Sequence, residues 1–367
     1  MRVEIVRVCL LNPYPVSFRL RGGVESILYS LNLGLMRRGV ETEVISLSEE
    51  EMRIIPLFAR LTISTILLRK LLKSQARFDI VHSHAWAAGT LRFIKNKPTI
   101  ATAHGTTKGF LNRTWDTRPL FSKVYNSIVT SNLENIGFRS AKQVTAVSRS
   151  SKREIVENYG IPEERIAVVY NGIDPGKVHR VKTNLRDEIE CEHLLFFMGR
   201  LIKEKGIEVL INAMAMLGDY DVKLVVAGEG KGEAEVRRLT SELNLREKVV
   251  FAGTLDEKKK LEYMSASDAF VFPSFSESFG MTLLDAMACK TPIVASRVAS
   301  IPEVVGNCGV LVEPRDPVKL AEGIEKLLND KKASKKLASK AYERLTSNFT
   351  VEKMVDGYLR MYEKVLR

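Results

Sequence analysis

Short runs of aliphatic, β-branched and aromatic residues alternate with stretches of helical periodicity along most of the chain. Val3–Leu11, Val44–Leu47, Asp79–His82, Thr99–His104, Val144–Val147 and Ile166–Tyr170 read as strands, with helices such as Val24–Arg38 and Ser150–Asn158 between them. After a less regular stretch at Asp174–Glu192 the pattern restarts. Leu194–Met198, Val222–Ala227, Val249–Ala252, Ala269–Phe272, Ile293–Ala295 and Val310–Val312 read as strands, with helices at Gly206–Leu217, Ala234–Leu243 and Met281–Cys289. The tail reads as three helices, Val318–Leu328, Ala333–Thr346 and Val351–Leu366.

Near-continuous apolar strands separated by helices imply parallel sheets covered on both faces, an α/β architecture. Two such blocks in 367 residues imply two doubly wound, Rossmann-like domains, 1–173 and 174–350, with the last helix, 351–367, expected to cross back onto the first. Ligands of open α/β sheets bind beyond the C-terminal strand ends, so the expected site is a cleft between facing domains.

Composition narrows this further. The chain is 45% hydrophobic and 27% charged, which gives a large core and excludes a disordered chain. Cys9, Cys191, Cys289 and Cys308 are dispersed and form no CxxC pair, against a structural zinc site or a disulfide framework. That fits a reducing compartment, and the expected location is cytoplasmic. The opening MRVEIVRVCL reads as a core strand rather than a signal peptide, and no run approaches the ~20 apolar residues of a membrane span. Residues 1–170 carry 25 basic and 14 acidic side chains, so +11 of the net +12 lies in the first half, which suits an anionic partner. The densest basic segment, Met52–Arg77, has six cations and no acid among large apolar residues. It reads either as a helix lying on an anionic membrane surface or as a domain helix with a basic outer face. Despite a pI near 9.4, no nucleic-acid-binding motif is present, and no nucleic-acid partner is expected.

Candidate chemistry clusters at strand ends. In FPSFSESFGMTLLDAMA (272–288), Glu277 lies on a turn and a helix opens near Gly280. The amides of Phe279, Gly280, Met281 and Thr282 there form a seat for an anion or polar oxygens. Asp285 follows eight residues after Glu277. In FFMGRLIKEKGI (196–207), Arg200 and Lys205 sit beyond a strand end, where two cations suit a diphosphate. Loops around Gly228-Glu229-Gly230 and Gly253-Thr254-Leu255-Asp256 follow further strands. In the first domain, Arg21-Gly22-Gly23-Val24-Glu25 opens a helix after strand one, and His104 precedes Gly105 at a strand end. No GxGxxG occurs, which disfavours a nicotinamide enzyme. His82 and His84 lack a carboxylate cluster and read as structural.

Taken in order, GGVE, His104-Gly105, NGID at Asn171–Asp174, GRLIKEKG, GEG, ESFGMTLLD, PIVAS at Pro292–Ser296 and IPEVV at Ile301–Val305 resemble the retaining glycosyltransferases of family GT4, of GT-B fold. The resemblance covers essentially the whole chain. It implies a nucleoside-diphosphate-sugar donor of UDP or GDP type, a glycan or lipid-linked acceptor, and no metal or cofactor. It implies that Arg200 and Lys205 hold the diphosphate, Glu277 the donor sugar, and Asp285, where the family usually has Glu, the ribose. His104 would contact the donor sugar, Gly22 and Gly23 would line the diphosphate and acceptor side, and the Glu229 and Leu255 loops would belong to the donor site. A nucleotide-sugar epimerase and a non-catalytic sugar-nucleotide binder remain the competing readings.

Overall fold

The computed structural model describes residues 6–15, 23–54, 60–74, 77–218 and 220–367. The chain divides into two compact units, Met1–Gly172 with Thr350–Arg367, and Ile173–Phe349.

The first unit is built on six parallel strands: β1 (Arg7–Leu11), β2 (Glu41–Ile45), β3 (Ile80–His84), β4 (Thr99–Ala103), β5 (Gln143–Ala146) and β6 (Ile166–Val168). Their order is β2-β1-β3-β4-β5-β6. Every residue of β3, β4 and β5 is buried, as strands covered on both faces require. The order reverses between β1 and β3, so loops leaving those two strands part and open a crevice.

The helix Val351–Leu366 belongs to this unit. Thr350 caps its first turn, accepting a hydrogen bond from the Lys353 amide. Its own Tyr358 and Tyr362 side chains are buried against the unit. Its close approach to the helix Gly23–Arg37 depends on Gly34, where a β-carbon would stand 2.5 Å from Val355 Cγ2.

Within the basic segment Met52–Arg77, the described part is the helix Arg60–Ser74 and the end of the helix Glu49–Ile54; residues 55–59 and 75–76 lie outside the described residues. Ile63, Leu67 and Leu71, four residues apart, sink into the core beside Phe78 and Trp86. Arg69 and Lys73 stay exposed, and Lys70 donates to Glu51 at 2.6 Å. This helix therefore has a buried domain face and a basic outer face.

The second unit repeats the plan with β7 (His193–Met198), β8 (Val222–Ala227), β9 (Val249–Gly253), β10 (Ala269–Phe272), β11 (Ile293–Ser296) and β12 (Val310–Val312). All pairs are parallel, in the order β12-β11-β10-β7-β8-β9. After β7 the chain adds β8 and β9 on one side and β10, β11 and β12 on the other, so the switch point falls between β7 and β10. Leu195 and Phe197 of β7, Leu224 of β8 and Val271 of β10 meet Leu210, Ile211 and Ile324 from covering helices in one core.

Candidate active site

The two richest motifs leave the two strands that flank the switch point of the second unit. Arg200 and Lys205 lie on the segment after β7, and Glu277 lies on the segment after β10. The structure joins them: Lys205 Nζ donates to Glu277 Oε2 at 2.7 Å, with both side chains more than four-fifths buried. Lys205 also stands 5.5 Å over the Phe272 ring. Backbone contacts fix the loops. The Phe275 amide donates to the Glu204 carbonyl at 2.8 Å, and Ser300 Oγ donates to the Glu277 carbonyl at 3.0 Å.

Neighbouring loops close tightly on this segment. Gly228 has φ +121° and lies so near the Gly199 carbonyl that a β-carbon would stand 2.0 Å from it. Leu201 donates to the Glu229 carbonyl at 3.0 Å, and Thr254 Oγ1 donates to Glu229 Oε1 at 2.7 Å, joining the loops after β7, β8 and β9. Arg200 is exposed, and Leu255 is half-buried beside exposed Thr254 and Asp256.

The helix Met281–Ala288 opens at Gly280, whose φ is +89°, and no side chain caps it. The amides of Met281 and Thr282 therefore stand in the first turn, positioned for an anion or polar oxygens. The Phe279 side chain turns inward and packs edge-on against Phe349, 5.7 Å between centroids, so only its backbone can serve a ligand.

Asp285 is placed differently from an open hydrogen-bond acceptor. It is buried, and its Oδ2 receives Lys260 Nζ at 3.1 Å; Lys260 also contacts Glu257 at 2.7 Å. Burial pushes the Asp285 carboxyl up, with Lys260 only partly opposing it. Burial alone would lower the Lys260 ammonium, but its two carboxylate neighbours outweigh that and hold it above the usual lysine value. Lys260 was not legible as a site residue because it ends the run Lys258-Lys259-Lys260, which reads as a solvated face.

In the first unit, Gly22 lies outside the described residues. Gly23 is exposed at the start of its helix, with open space where a β-carbon would go. His104 follows β4 and meets His84, the last residue of adjacent β3: His84 Nδ1 and His104 Nε2 are 2.9 Å apart, so one must donate to the other. His82, on the same face, binds Tyr362 Oη at 2.8 Å and Thr102 Oγ1 at 2.7 Å. His84 Nε2 and His104 Nδ1 are buried without a protein partner among the described residues. His84 thus orients the very imidazole singled out from the sequence. Among the described residues no group of three or more His, Cys, Asp or Glu is placed to hold a metal ion.

Burial lowers His104 to about 4 and, aided by the His104 charge, lowers His82 to about 3; it also lowers His84, with both neighbours adding to the effect. Folded-state values below the unfolded value near ~6.5 mean that stability is full above that pH and is lost as pH falls. Each imidazole kept neutral removes about 1.4 kcal/mol per pH unit in that window. Urea unfolding at pH 7.5, 6 and 5 is expected to show this loss, with a shallower slope in His82→Gln. A flat profile down to pH 5 would contradict it.

Comparison with known proteins agrees with this geometry. Residues 183–344 match the model of glycosyl transferases group 1, and residues 21–177 match that of glycosyltransferase family 4. The chain is 34% identical to an uncharacterized glycosyltransferase of Methanocaldococcus jannaschii, over 69% of this chain and 67% of that protein. The chain belongs to the group 1 glycosyltransferases. It is thus a transferase of the GT4 type, similar also to the N-acetyl-alpha-D-glucosaminyl L-malate synthase of Bacillus anthracis, at 34% identity over 65% of this chain and 63% of the synthase. The matched region spans about two thirds of these relatives. In fold, this glycosyltransferase resembles the sucrose-phosphate synthase of Thermosynechococcus elongatus, with a TM-score of 0.83, 20% identity and coverage of 98% and 99% of the two chains. It also resembles an Anabaena protein solved with UDP and glucose, with a TM-score of 0.78, 21% identity and coverage of 97% and 99%. These neighbours identify the fold as GT-B.

Proposed function

We propose that this glycosyltransferase moves a hexose-type sugar, with retention of configuration, from a nucleoside-diphosphate sugar of UDP or GDP type to a glycan or lipid-linked acceptor. The observation that carries the reading is the Lys205–Glu277 pair at the β7/β10 switch point, a cation and a carboxylate where a donor's diphosphate and sugar would lie side by side. In this reading 174–350 is the donor domain, and 1–173 with 351–367 faces the acceptor. Arg200 and Lys205 neutralise the leaving diphosphate, Glu277 accepts hydrogen bonds from sugar hydroxyls, and first-turn amides from Gly280 onward hold phosphate oxygens. His104 contacts the donor sugar. The departing phosphate oxygen takes the acceptor's proton as the new glycosidic bond forms on the same face, so no protein base and no metal is required. Support for a nucleotide-sugar donor comes from the Anabaena neighbour, whose structures contain UDP and UDP-glucose. The surplus of positive charge in the first half favours an anionic or membrane-borne acceptor, with the protein working from the cytoplasmic side. No helix among the described residues is long and apolar enough to cross a membrane.

The test is a thermal-shift panel of UDP, GDP, ADP and their sugar derivatives, with EDTA present. A ligand at 100 times its Kd stabilises by about 2.7 kcal/mol. One nucleotide class should shift wild type and fail to shift Arg200→Ala. Silence from every nucleotide, or a shift that survives Arg200→Ala, would count against the assigned donor site.

A further inference from the structure

We propose that the segment Trp115–Ile128 is the surface through which this enzyme lies on an anionic lipid bilayer. The proposal rests on the membrane-borne acceptor reading above and moves the contact away from the basic helix 60–74 alone. The helix Leu120–Tyr125 buries none of its six residues. Leu120 is 71% exposed, Phe121 64% and Ile128 60%, with Trp115 and Val124 about half exposed. Leu120, Val124 and Ile128 are four residues apart and share one stripe, which continues through the π-turn Asn126–Thr130. This is the reverse of a domain helix, whose apolar stripe faces the core. An apolar patch of this kind on one outer face marks a surface meant to be covered.

Charge selects the cover. Residues 107–128 hold Lys108, Arg113, Arg118 and Lys123 against a single acid, Asp116. Arg113 is committed to Glu154 and Lys108 to the Asn158 carbonyl. Lys123 instead rides on the exposed Trp115 ring, 4.8 Å from its centroid, and Arg118 lies over Phe110 at 4.5 Å. An aromatic ring topped by an ammonium suits the boundary between acyl chains and anionic headgroups. Arg60 ties the patch to the helix Arg60–Ser74 by donating to Asn126 Oδ1 at 2.7 Å, which brings the exposed Leu61 beside it. That helix adds exposed Leu72, Arg69 and Lys73 on its outer side. Apolar insertion flanked by cations is the pattern of an interfacial helix.

The protein has two tryptophans, and Trp86 is buried, so Trp115 reports on the patch without a label. With vesicles of phosphatidylglycerol and phosphatidylcholine at low salt, the protein should co-sediment. Its tryptophan emission should shift to the blue and be quenched by brominated acyl chains. Leu120→Ser/Phe121→Ser should lower the vesicle partition coefficient at least tenfold while keeping the wild-type unfolding midpoint and donor-induced shift. If Arg69→Glu/Lys73→Glu abolishes binding and Leu120→Ser/Phe121→Ser does not, the patch is not the contact, although a membrane reading survives. If wild type ignores anionic vesicles, both fail while the donor reading stands. If wild type is a dimer by light scattering and Leu120→Ser/Phe121→Ser is monomeric with unchanged vesicle binding, the patch covers a second copy of the chain and the proposal is overturned.

Discussion

Glu277→Gln is expected to lower the turnover of sugar transfer by about 100- to 1,000-fold, the range found when one preorganised charge or donor is removed from a transition-state site. The substitution keeps the shape of the side chain and removes its charge. The loops should stay in place, because their positions rest on backbone contacts from Phe275 and to the Glu277 carbonyl, which glutamine retains. The glutamine amide oxygen can also still accept from Lys205, so the unfolding midpoint should fall by only a few degrees despite the lost charge pairing. Steady-state kinetics beside a melting curve decides the matter. Turnover within threefold of wild type would remove Glu277 from the reaction. A large fall in midpoint would make its role structural.

The Lys205–Glu277 ion pair sharpens this prediction. Before a donor arrives, Glu277 holds Lys205 in a site more than four-fifths buried, while Arg200 stays exposed. In the proposed reaction the exposed Arg200 would meet the diphosphate first, and Arg200→Ala should act mainly on donor affinity. In the same proposal Lys205, paired with Glu277, would be shared with the incoming phosphates, so the two residues should act as a unit. Lys205→Met with Glu277→Gln should lose little more than the worse single variant.

Strand ends and the residues beside them were legible in the sequence because apolar runs stop abruptly at Gly-containing loops. The run ending at Phe272 and the helix opening after Gly280 are found where the pattern puts them. What the pattern could not carry was adjacency. Lys205 and Glu277 are 72 positions apart and meet only because β7 and β10 are neighbours in a sheet whose strand order is set by tertiary packing. His84 read as structural for the same reason: its contact with His104 needs β3 beside β4. Leu120–Tyr125 escaped because its apolar residues face outward, and a hydrophobic pattern cannot say which face of a helix is covered. Lys260 escaped because only its tertiary position, beneath Asp285, separates it from the solvated lysines before it.

That buried pair carries the largest expected effect on stability. Lys260→Met removes the only cation paired with Asp285 among the described residues, while both side chains of the pair are about nine-tenths buried. Breaking such a pair from one side costs about 3–5 kcal/mol, whereas replacing both partners by apolar groups is often near neutral. Lys260→Met should lose stability on that scale in urea, and Lys260→Met/Asp285→Leu should recover most of it. The loss should also depend on pH. The Asp285 carboxyl is already raised by burial, and without Lys260 it rises further. A carboxyl raised in the folded state costs nothing while it is protonated, and its cost grows as pH climbs from the unfolded value near ~3.9 through the folded one. The variant should therefore lie closer to wild type at pH 5 than at pH 8. An equal deficit at both values would mean that the lysine stem, not its charge, fills the site. Asp285→Asn then separates structure from ligand binding: a raised KM for the donor with an unchanged melting point would assign the carboxylate to the ribose, while a lowered melting point with unchanged KM would confine it to holding the helix Glu257–Ala266 against Met281–Ala288.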